Sequence, residues 1–213
     1  MLGVGTYLPR SILEIQYVLE FQLVKEIVKS YIAKLNFALS QEVMQKASVL
    51  AETLHAAWQS GQNIYICGNG GSAGNAIHLA NDLLYGAGRK NGVGLRVEAL
   101  SANAAVITCL ANDTGYENIY AEQLKVKARP GDVLIALSGS GNSPNIVNAL
   151  AIGNKIGMTT FAILGFSGGQ CKAVAQHPIH FEIDDMQIAE DLQLIVGHMC
   201  MQWLSQQTLS VGA

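Results

Sequence analysis

Two loops rich in glycine, serine and asparagine follow short apolar segments of the chain. The first loop covers residues 68–72, after the apolar segment 64–67, and the second covers residues 138–143, after the segment 133–137. A helical pattern follows each loop, so backbone N–H groups and the positive end of a helix would face an anion bound there. Serine hydroxyls can share the oxygens of a phosphate, and glycine lets the backbone approach them. The two loops predict phosphate binding by Asn69, Gly70, Gly71, Ser72, Ser138, Ser140 and Ser143.

The first loop also fits a dinucleotide-binding pattern. Gly68, Gly70 and Ala73 have the spacing G-x-G-x-x-A between a strand and a helix, and Glu98 stands near the end of the next strand. No Gly-Lys-Ser/Thr sequence follows, so the loop is not a P-loop. A dinucleotide fold does not need the second loop, and the pair of loops therefore favours a sugar phosphate over NAD while leaving NAD as an alternative.

Candidate acid and base residues lie on two helical segments. His78 and Asp82 follow the first loop and are four residues apart, which places an imidazole and a carboxylate on one helix face. Glu190 and His198 lie on the segment that closes the chain. Such groups can act as a general acid or base without a redox cofactor, although a single helical histidine is more often structural.

Composition excludes several classes of partner. The net charge of −3 and the pI near 5.9 provide no basic field for nucleic acid, and the longest basic run is Arg89–Lys90. Glu14, Glu20 and Glu26 interrupt the apolar residues near the N-terminus, so we expect neither a signal peptide nor a membrane span. The four cysteines form no CxxC pair and suit a reducing, cytoplasmic compartment.

The elements that must position these residues follow an α/β pattern. Two helical stretches occupy about residues 1–60, and the positive mean hydropathy of +0.26 suggests that they cover apolar surface in a homo-oligomer. From residue 61 to about 207, apolar runs alternate with helical segments, which predicts one domain over residues 1–213. The expected fold is a three-layer, flavodoxin-like α/β domain with a five-stranded parallel sheet, whose strands lie near 64–67, 93–100, 133–137, 159–164 and 179–183.

Four stretches of the chain resemble one family in sequence and in order. They read CGNGGSAGNAIHLANDL, CLANDTGYEN, RPGDVLIALSGSGNSPNIVNAL and DLQLIVGH, and they span most of residues 40–205. This combination is similar to the sugar isomerase (SIS) domain, and most similar to the sedoheptulose 7-phosphate (phosphoheptose) isomerases. The resemblance implies an aldose–ketose isomerase of surface-polysaccharide heptose synthesis, acting in a homotetramer whose active sites lie between subunits.

The resemblance also implies roles for individual residues. The phosphate would be held by Ser72, Ser138, Ser140 and Ser143, and His78 and His198 match the active-site histidines of the family. Acid and base duties would fall to Asp82 and His198, with Glu190 as an alternative base. Some family members carry zinc at the matching positions, so the resemblance implies a zinc set of His78, Asp82, Glu190 and His198, although no cofactor is required. Further substrate contacts would come from Asn103, Asn112 and Asp113; for the last two, an Asn-Asp turn with local hydrogen bonds is the alternative.

The chain departs from the family pattern at several of these positions. Asp82 replaces a glutamate and Glu190 replaces a glutamine, while Gly86 replaces an arginine and Asn103 an aspartate. Gln187-Ile188 stands where the family has Asp-Arg. Eight residues of helix rise about 12 Å, so Glu190 and His198 could share one ion only at full stretch from opposite sides.

A non-catalytic SIS protein that binds a sugar phosphate or a protein partner is the main alternative. The bacterial protein that associates with the replication initiator is such a relative, and it lacks the histidine of the closing helix. His198 is present in this chain, which favours an enzyme.

Overall fold

The computed structural model describes residues 12–89 and 92–208 of the 213-residue chain. The ends of the expected domain and Lys90 therefore lie outside the described residues. The chain divides into two compact units, one ending at Phe37 and one beginning at Ala38. The first unit contains most of a long helix, α1 (Ile12–Leu39), and the second contains the sheet and both loops.

The second unit alternates strands and helices in the predicted way. Its helices are α2 (Lys46–Ser60), α3 (Gly71–Asn81), α4 (Ala104–Thr114), α5 (Ala121–Lys127), α6 (Pro144–Ile156), α7 (Gly169–Val174) and α8 (Met186–Leu204). Its strands are β1 (Asn63–Gly68), β2 (Arg96–Ala99), β3 (Val133–Ser138), β4 (Thr159–Leu164) and β5 (His177–His180). Short 3₁₀ helices cover Glu42–Gln45 and Tyr116–Asn118, and a π-helical turn covers Asp82–Gly86.

The five strands form a parallel sheet in the order β2-β1-β3-β4-β5. This confirms the predicted fold class. β1 and β3 are neighbours although α3, β2, α4 and α5 separate them along the chain, so the strand order reverses between them. In open α/β sheets ligands bind beyond the carboxyl ends of the strands at such a switch point. Both predicted loops begin at this point.

The central strands are apolar on both faces because helices cover each side. Tyr65 and Cys67 of β1 belong to one buried cluster with residues of α5, α6 and α7. The alternate residues Ile64 and Ile66 are fully buried outside that cluster, and on their side of the sheet α8 contacts both α2 and α3. Alternation along the strand therefore places α3 and α8 together on one face of the sheet.

A buried carboxylate joins the turn before β3 to the start of β1. Asp132 is 3% exposed, and its two oxygens accept hydrogen bonds from the backbone N–H groups of Asn63 and Arg129, both at 2.9 Å. Gly131 in this turn has a φ of +91°, which a side chain would disfavour. The turn thus fixes β3 against β1 in the register that brings their ends together.

Two strand boundaries differ from the sequence prediction. β2 begins at Arg96 because the two residues before it pack against Leu83 and Leu84 instead of pairing with β1. Gly94 lies so close to the Leu84 carbonyl that a side chain would overlap it, and the Leu95 N–H donates to the Leu83 carbonyl. β5 covers residues 177–180, earlier than predicted, because the Ile183 N–H bonds to the Phe181 carbonyl and turns the chain out of the sheet.

None of the helices within the described residues has the length and hydropathy required to span a membrane.

Candidate functional site

A cavity lies beyond the carboxyl ends of β1 and β3. Its volume is about 280 Å³, and most of its lining comes from the two predicted phosphate loops. The seven residues that the sequence predicts to bind phosphate meet there, together with the predicted alternative base Glu190 of α8. The seven are Asn69, Gly70, Gly71, Ser72, Ser138, Ser140 and Ser143. Residues nearly 70 positions apart therefore form one pocket.

The first loop turns tightly into α3. A side chain on Gly68 would lie 2.5 Å from the Ser72 carbonyl oxygen, so only glycine fits there. Gly70 precedes α3 with a φ of +55°, in the left-handed region that glycine tolerates. Consequently the first backbone N–H groups of α3 lie at the cavity, where an anion would be stabilised.

The second loop presents hydroxyls at the start of α6. The Oγ atoms of Ser138 and Ser140 accept hydrogen bonds from the N–H groups of Gly141 and Asn142, at 3.1 and 3.3 Å. Their hydroxyl protons remain available to donate to another acceptor. Ser143 occupies the N-cap position of α6, where its side chain makes no capping hydrogen bond to the helix. Both loops thus offer donors to the cavity, whose lining has no cationic side chain from residues 12–89 or 92–208.

Glu190 brings a carboxylate into this neutral pocket. It lies in the first turns of α8, and its carboxylate fills the space that a side chain on Gly71 would need. The carboxylate therefore lies against the N-terminus of α3, where the helix dipole favours negative charge. A bound phosphate would share the cavity with this charge.

His78, Asp82 and His198 converge two turns farther along the same helices. The Nε2 atoms of the two histidines are 2.9 Å apart, and each is 3.4 Å from Oδ2 of Asp82. Only one imidazole can donate in the His–His contact, so the other accepts. The Asp82 side chain is 19% exposed, whereas the histidine side chains are about half exposed, at 50% and 41%. We call these three residues the His–Asp–His cluster.

The cluster requires close packing of α3 against α8. Gly197 lies where any side chain would overlap the methyl groups of Leu79. One turn earlier on α3, Asn75 donates through Nδ2 to the Glu190 carbonyl and to Oε1 of Gln193, both at 3.0 Å. The missing side chain at Gly197 therefore lets His198 reach the two α3 residues.

Glu190 does not join the cluster, although the sequence analysis included it in a four-residue zinc set. The residues whose ligand atoms lie within 4.8 Å of one another are His78, Asp82 and His198. Eight residues of α8 separate Glu190 from His198, a rise of about 12 Å. The Glu190 carboxylate therefore belongs to the cavity, and the Asp82 carboxylate belongs to the His–Asp–His cluster.

The remaining predicted residues lie away from the cavity lining. Oδ1 of Asn103 caps α4 by accepting from the N–H groups of Ala105 and Val106, at 3.1 and 3.2 Å. Asn112 donates to Asp113 at 2.8 Å, and both side chains are exposed at the end of α4. The Cys109 thiol contacts Asp113 at 3.5 Å, and this hydrogen bond raises the pKa of the thiol.

Three side chains near the cavity were not among the sequence-predicted site residues. Asn145 pairs with Asn69, and the hydroxyls of Tyr116 and Tyr120 both contact the Asn69 side chain. The motif GNSPN contains Asn145 next to the serines, but nothing in the sequence indicates which residue it contacts.

The comparison with known families agrees with this geometry. Residues 29–165 match the SIS domain. The matched residues include both serine- and glycine-rich loops. The chain belongs to the SIS domain family.

Its curated relatives are phosphoheptose isomerases. The chain is 35% identical over 170 residues to that of Akkermansia muciniphila, covering 80% of this chain and 87% of the relative. It is also 35% identical to that of Trichlorobacter lovleyi over 193 residues, covering 87% and 98%. The solved phosphoheptose isomerase of Francisella tularensis has the same fold, with a TM-score of 0.80 at 22% identity and coverage of 88% and 99%.

Replacing Gly197 with alanine should force α3 and α8 apart. We expect the free energy of unfolding to fall by about 1–3 kcal/mol, the usual cost of overpacking. In a Leu79→Ala background the methyl groups are absent, so adding Gly197→Ala should cost almost nothing further. Urea unfolding of both single variants and the double variant measures this coupling.

Gly74→Ala is the matched control, because a side chain at this position on α3 meets no atom within 4 Å. It should leave stability unchanged or raise it slightly. Additive losses in the double variant would contradict the proposed contact between Gly197 and Leu79.

Proposed function

We propose that the chain is an aldose–ketose isomerase that interconverts sedoheptulose 7-phosphate and D-glycero-D-manno-heptose 7-phosphate. One observation carries the proposal: the serine-lined cavity and the His–Asp–His cluster lie along the same two helices, α3 and α8. A phosphate held in the cavity leaves the rest of a sugar to extend along these helices toward the cluster. The named relatives act in the same reaction class, and a non-catalytic role is not favoured.

The spacing of the two parts suits a seven-carbon substrate. Glu190 at the cavity and His198 in the cluster are about 12 Å apart along α8. An extended chain advances about 1.2 Å per bond, so about 10 Å separates phosphorus from C1 of an open seven-carbon sugar 7-phosphate. The corresponding length for a five-carbon sugar phosphate is only about 7 Å. The longer sugar therefore reaches the cluster while its phosphate stays in the cavity.

The cluster supplies the groups that the isomerisation needs. A base removes one proton from C1 of the ketose, an enediol forms, and a proton is returned to C2 while the hydroxyl proton passes from O1 to O2. We assign these transfers to Asp82 and His198, whose Oδ2 and Nε2 atoms are 3.4 Å apart. His78 contacts both and orients them. Atoms balance without an external oxidant or reductant.

The cluster also fits a zinc ion. Its three ligand atoms are 2.9–3.4 Å apart, and the ligands of a tetrahedral zinc at about 2.0–2.1 Å lie about 3.3 Å from one another. His78, Asp82 and His198 would hold the ion, and Lewis-acid polarisation of a carbonyl oxygen is the chemistry it would supply. Ligation would use the lone pairs of Asp82 and His198, so proton transfer by these two residues belongs to the metal-free cluster.

A test of the reaction uses purified protein, sedoheptulose 7-phosphate and proton NMR in deuterated water. We expect the wild type to form heptose 7-phosphate with deuterium at C2, and His198→Ala to lose about 10²–10⁴-fold in kcat because a positioned acid–base group is removed. His55→Ala is the matched control, since this imidazole lies on α2 and contacts Trp58 and Trp203 instead of the cluster.

Chelation tests the assignment of the proton-transfer pair. Activity that survives chelator supports Asp82 and His198 in this role, whereas activity that is lost and then restored by zinc would contradict it and make these residues metal ligands. A wild-type protein that binds phosphate but turns over no sugar phosphate would overturn the isomerase proposal.

Glu190→Gln should improve substrate binding in the metal-free enzyme. The change preserves shape and removes a negative charge from the cavity that would hold a phosphate dianion. We expect KM to fall several-fold, corresponding to about 1 kcal/mol of relieved repulsion, with kcat changed by less than about threefold. The control substitution Glu190→Asp keeps the negative charge and should not lower KM. A kcat loss of about 100-fold in Glu190→Gln would instead identify Glu190 as the base.

We propose that α1 assembles copies of this chain into a homo-oligomer, and by resemblance a tetramer. α1 has 28 residues, and seven of its described apolar side chains are at least half exposed in a single chain: Phe21, Leu23, Val24, Ile27, Val28, Ile32 and Phe37. Another copy of the same helix would cover this surface. The single domain of residues 1–213 that the sequence predicts would then be one subunit of this oligomer.

Free thiols at Cys67, Cys109, Cys171 and Cys200 support a reducing cytoplasmic location.

Introducing charge on α1 should dissociate the oligomer. Val24→Glu combined with Val28→Glu places two carboxylates in the apolar surface, and we expect sedimentation velocity to shift from the oligomer toward the 22.7 kDa chain. Gln22→Glu adds charge at an exposed polar position of the same helix and should leave the mass unchanged. A wild type that sediments as a single chain would contradict the assembly.

A further inference from the structure

A reciprocal amide pair joins the two loops that line the cavity. Nδ2 of Asn69 donates to Oδ1 of Asn145 at 2.8 Å, and Nδ2 of Asn145 donates to Oδ1 of Asn69 at 2.9 Å. Asn69 belongs to the first loop and lines the cavity. Asn145 is the second residue of α6, directly after the second loop. Two hydrogen bonds therefore span the distance between the loops.

Burial makes this contact difficult to loosen. Asn145 is 1% exposed, so water cannot readily replace a lost partner. Each amide offers a donor and an acceptor, and the pair uses one of each from both residues. The relative position of the two amides is consequently fixed, and with it the gap between Gly70–Ser72 and the serines of the second loop.

Two tyrosine hydroxyls hold the Asn69 side of the pair. The Tyr120 hydroxyl donates to the Gly68 carbonyl, and burial raises the pKa of this phenol so that it keeps its proton. The Tyr116 hydroxyl lies 3.3 Å from Oδ1 of Asn69 and can donate to it. Oδ1 of Asn69 can thus accept from both Asn145 and Tyr116 through its two lone pairs.

We infer that Asn145 and Tyr116 are positioning residues that act through Asn69 to hold the two phosphate loops at the separation at which one phosphate contacts both. Neither residue lines the cavity among the described residues, so their effect passes through the loop. The inference rests on the proposed binding of a phosphorylated sugar. It gives Asn145 and Tyr116 a role in the affinity for phosphate and no role in proton transfer.

Removing the pair should weaken phosphate binding more than it slows turnover. A loop displaced by a fraction of an ångström loses hydrogen bonds to an anion that requires donors from both sides. For Asn145→Ala we expect the Kd for inorganic phosphate and the KM for sugar phosphate to rise at least about tenfold. The kcat at saturation should stay within about threefold, because the His–Asp–His cluster lies on α3 and α8, two turns from the cavity.

The experiment measures inorganic phosphate binding by titration calorimetry on the full chain. Asn69→Ala, Asn145→Ala and the double variant form a cycle, in which we expect the double variant to bind no worse than the weaker single variant. Asn145→Asp guards against misfolding, since it keeps the shape but sets an oxygen against Oδ1 of Asn69, and it should also weaken binding. Tyr116→Phe removes one exposed hydroxyl and should cost two- to threefold.

Asn148→Ala is the matched control. Asn148 lies one turn farther along α6 and donates to the Glu117 carbonyl at 3.0 Å, without contacting either loop. It removes an amide hydrogen bond from the same helix, and the phosphate Kd should not change.

Several outcomes would overturn the inference. The first is a phosphate Kd in Asn145→Ala equal to that of Asn148→Ala although the melting temperature of Asn145→Ala falls. The second is an additive loss of affinity in the double variant, and the third is a wild type that does not bind phosphate. A wild type that binds phosphate with the expected variant pattern but isomerises no sugar phosphate overturns the proposed reaction and leaves this inference standing.

Discussion

Helices α3 and α8 approach closely because Gly197 presents no side chain to Leu79, and the candidate site depends on that contact. The His–Asp–His cluster takes His78 from α3, Asp82 from the π-helical turn that follows it and His198 from α8. The distances from His198 to the other two residues, 2.9 and 3.4 Å, therefore depend on this helix separation. The same packing sets Glu190 against Gly71 at the opposite end of the pair. Asn75 adds hydrogen bonds between these two points. One helix interface thereby fixes both the acid–base groups and their distance from the cavity.

The sheet supplies the second constraint. β1 and β3 are adjacent, and the Asp132 carboxylate ties their starts together, so the loops at their carboxyl ends must face one cavity. A helix N-terminus follows each loop, and an anion between them would interact with both. The donors of the two loops are the groups by which the pocket would bind phosphate, since its lining includes no lysine or arginine among the described residues. The gap between the loops matters because neutral donors act only at hydrogen-bonding distance.

The sequence predicted those features that depend on local spacing. Strand periodicity and turn residues predicted the parallel sheet, the loop compositions predicted the serine-lined pocket, and the four-residue spacing of His78 and Asp82 predicted their shared face. Contacts across the fold could not be derived in this way. Asn69 and Asn145 pair across 76 residues, and nothing local identifies either as the partner of the other. Asn103 was predicted as a substrate contact from its family position; the structure shows that it also caps α4, in keeping with the preference for asparagine at N-cap positions.

Two departures from the family pattern acquire a common physical meaning in this arrangement. At position 82 the carboxylate is one methylene shorter, yet it still reaches both histidines because Gly197 lets α8 come close. At position 190, where the resemblance implies a glutamine, this chain has a carboxylate, which lies against the N-terminus of α3 inside the cavity. That charge is favourable at the helix end in the absence of substrate and unfavourable once a phosphate dianion enters. The proposed binding of phosphate would therefore have to overcome a repulsion within the cavity, and the neutral donors of the two loops are the groups available to offset it.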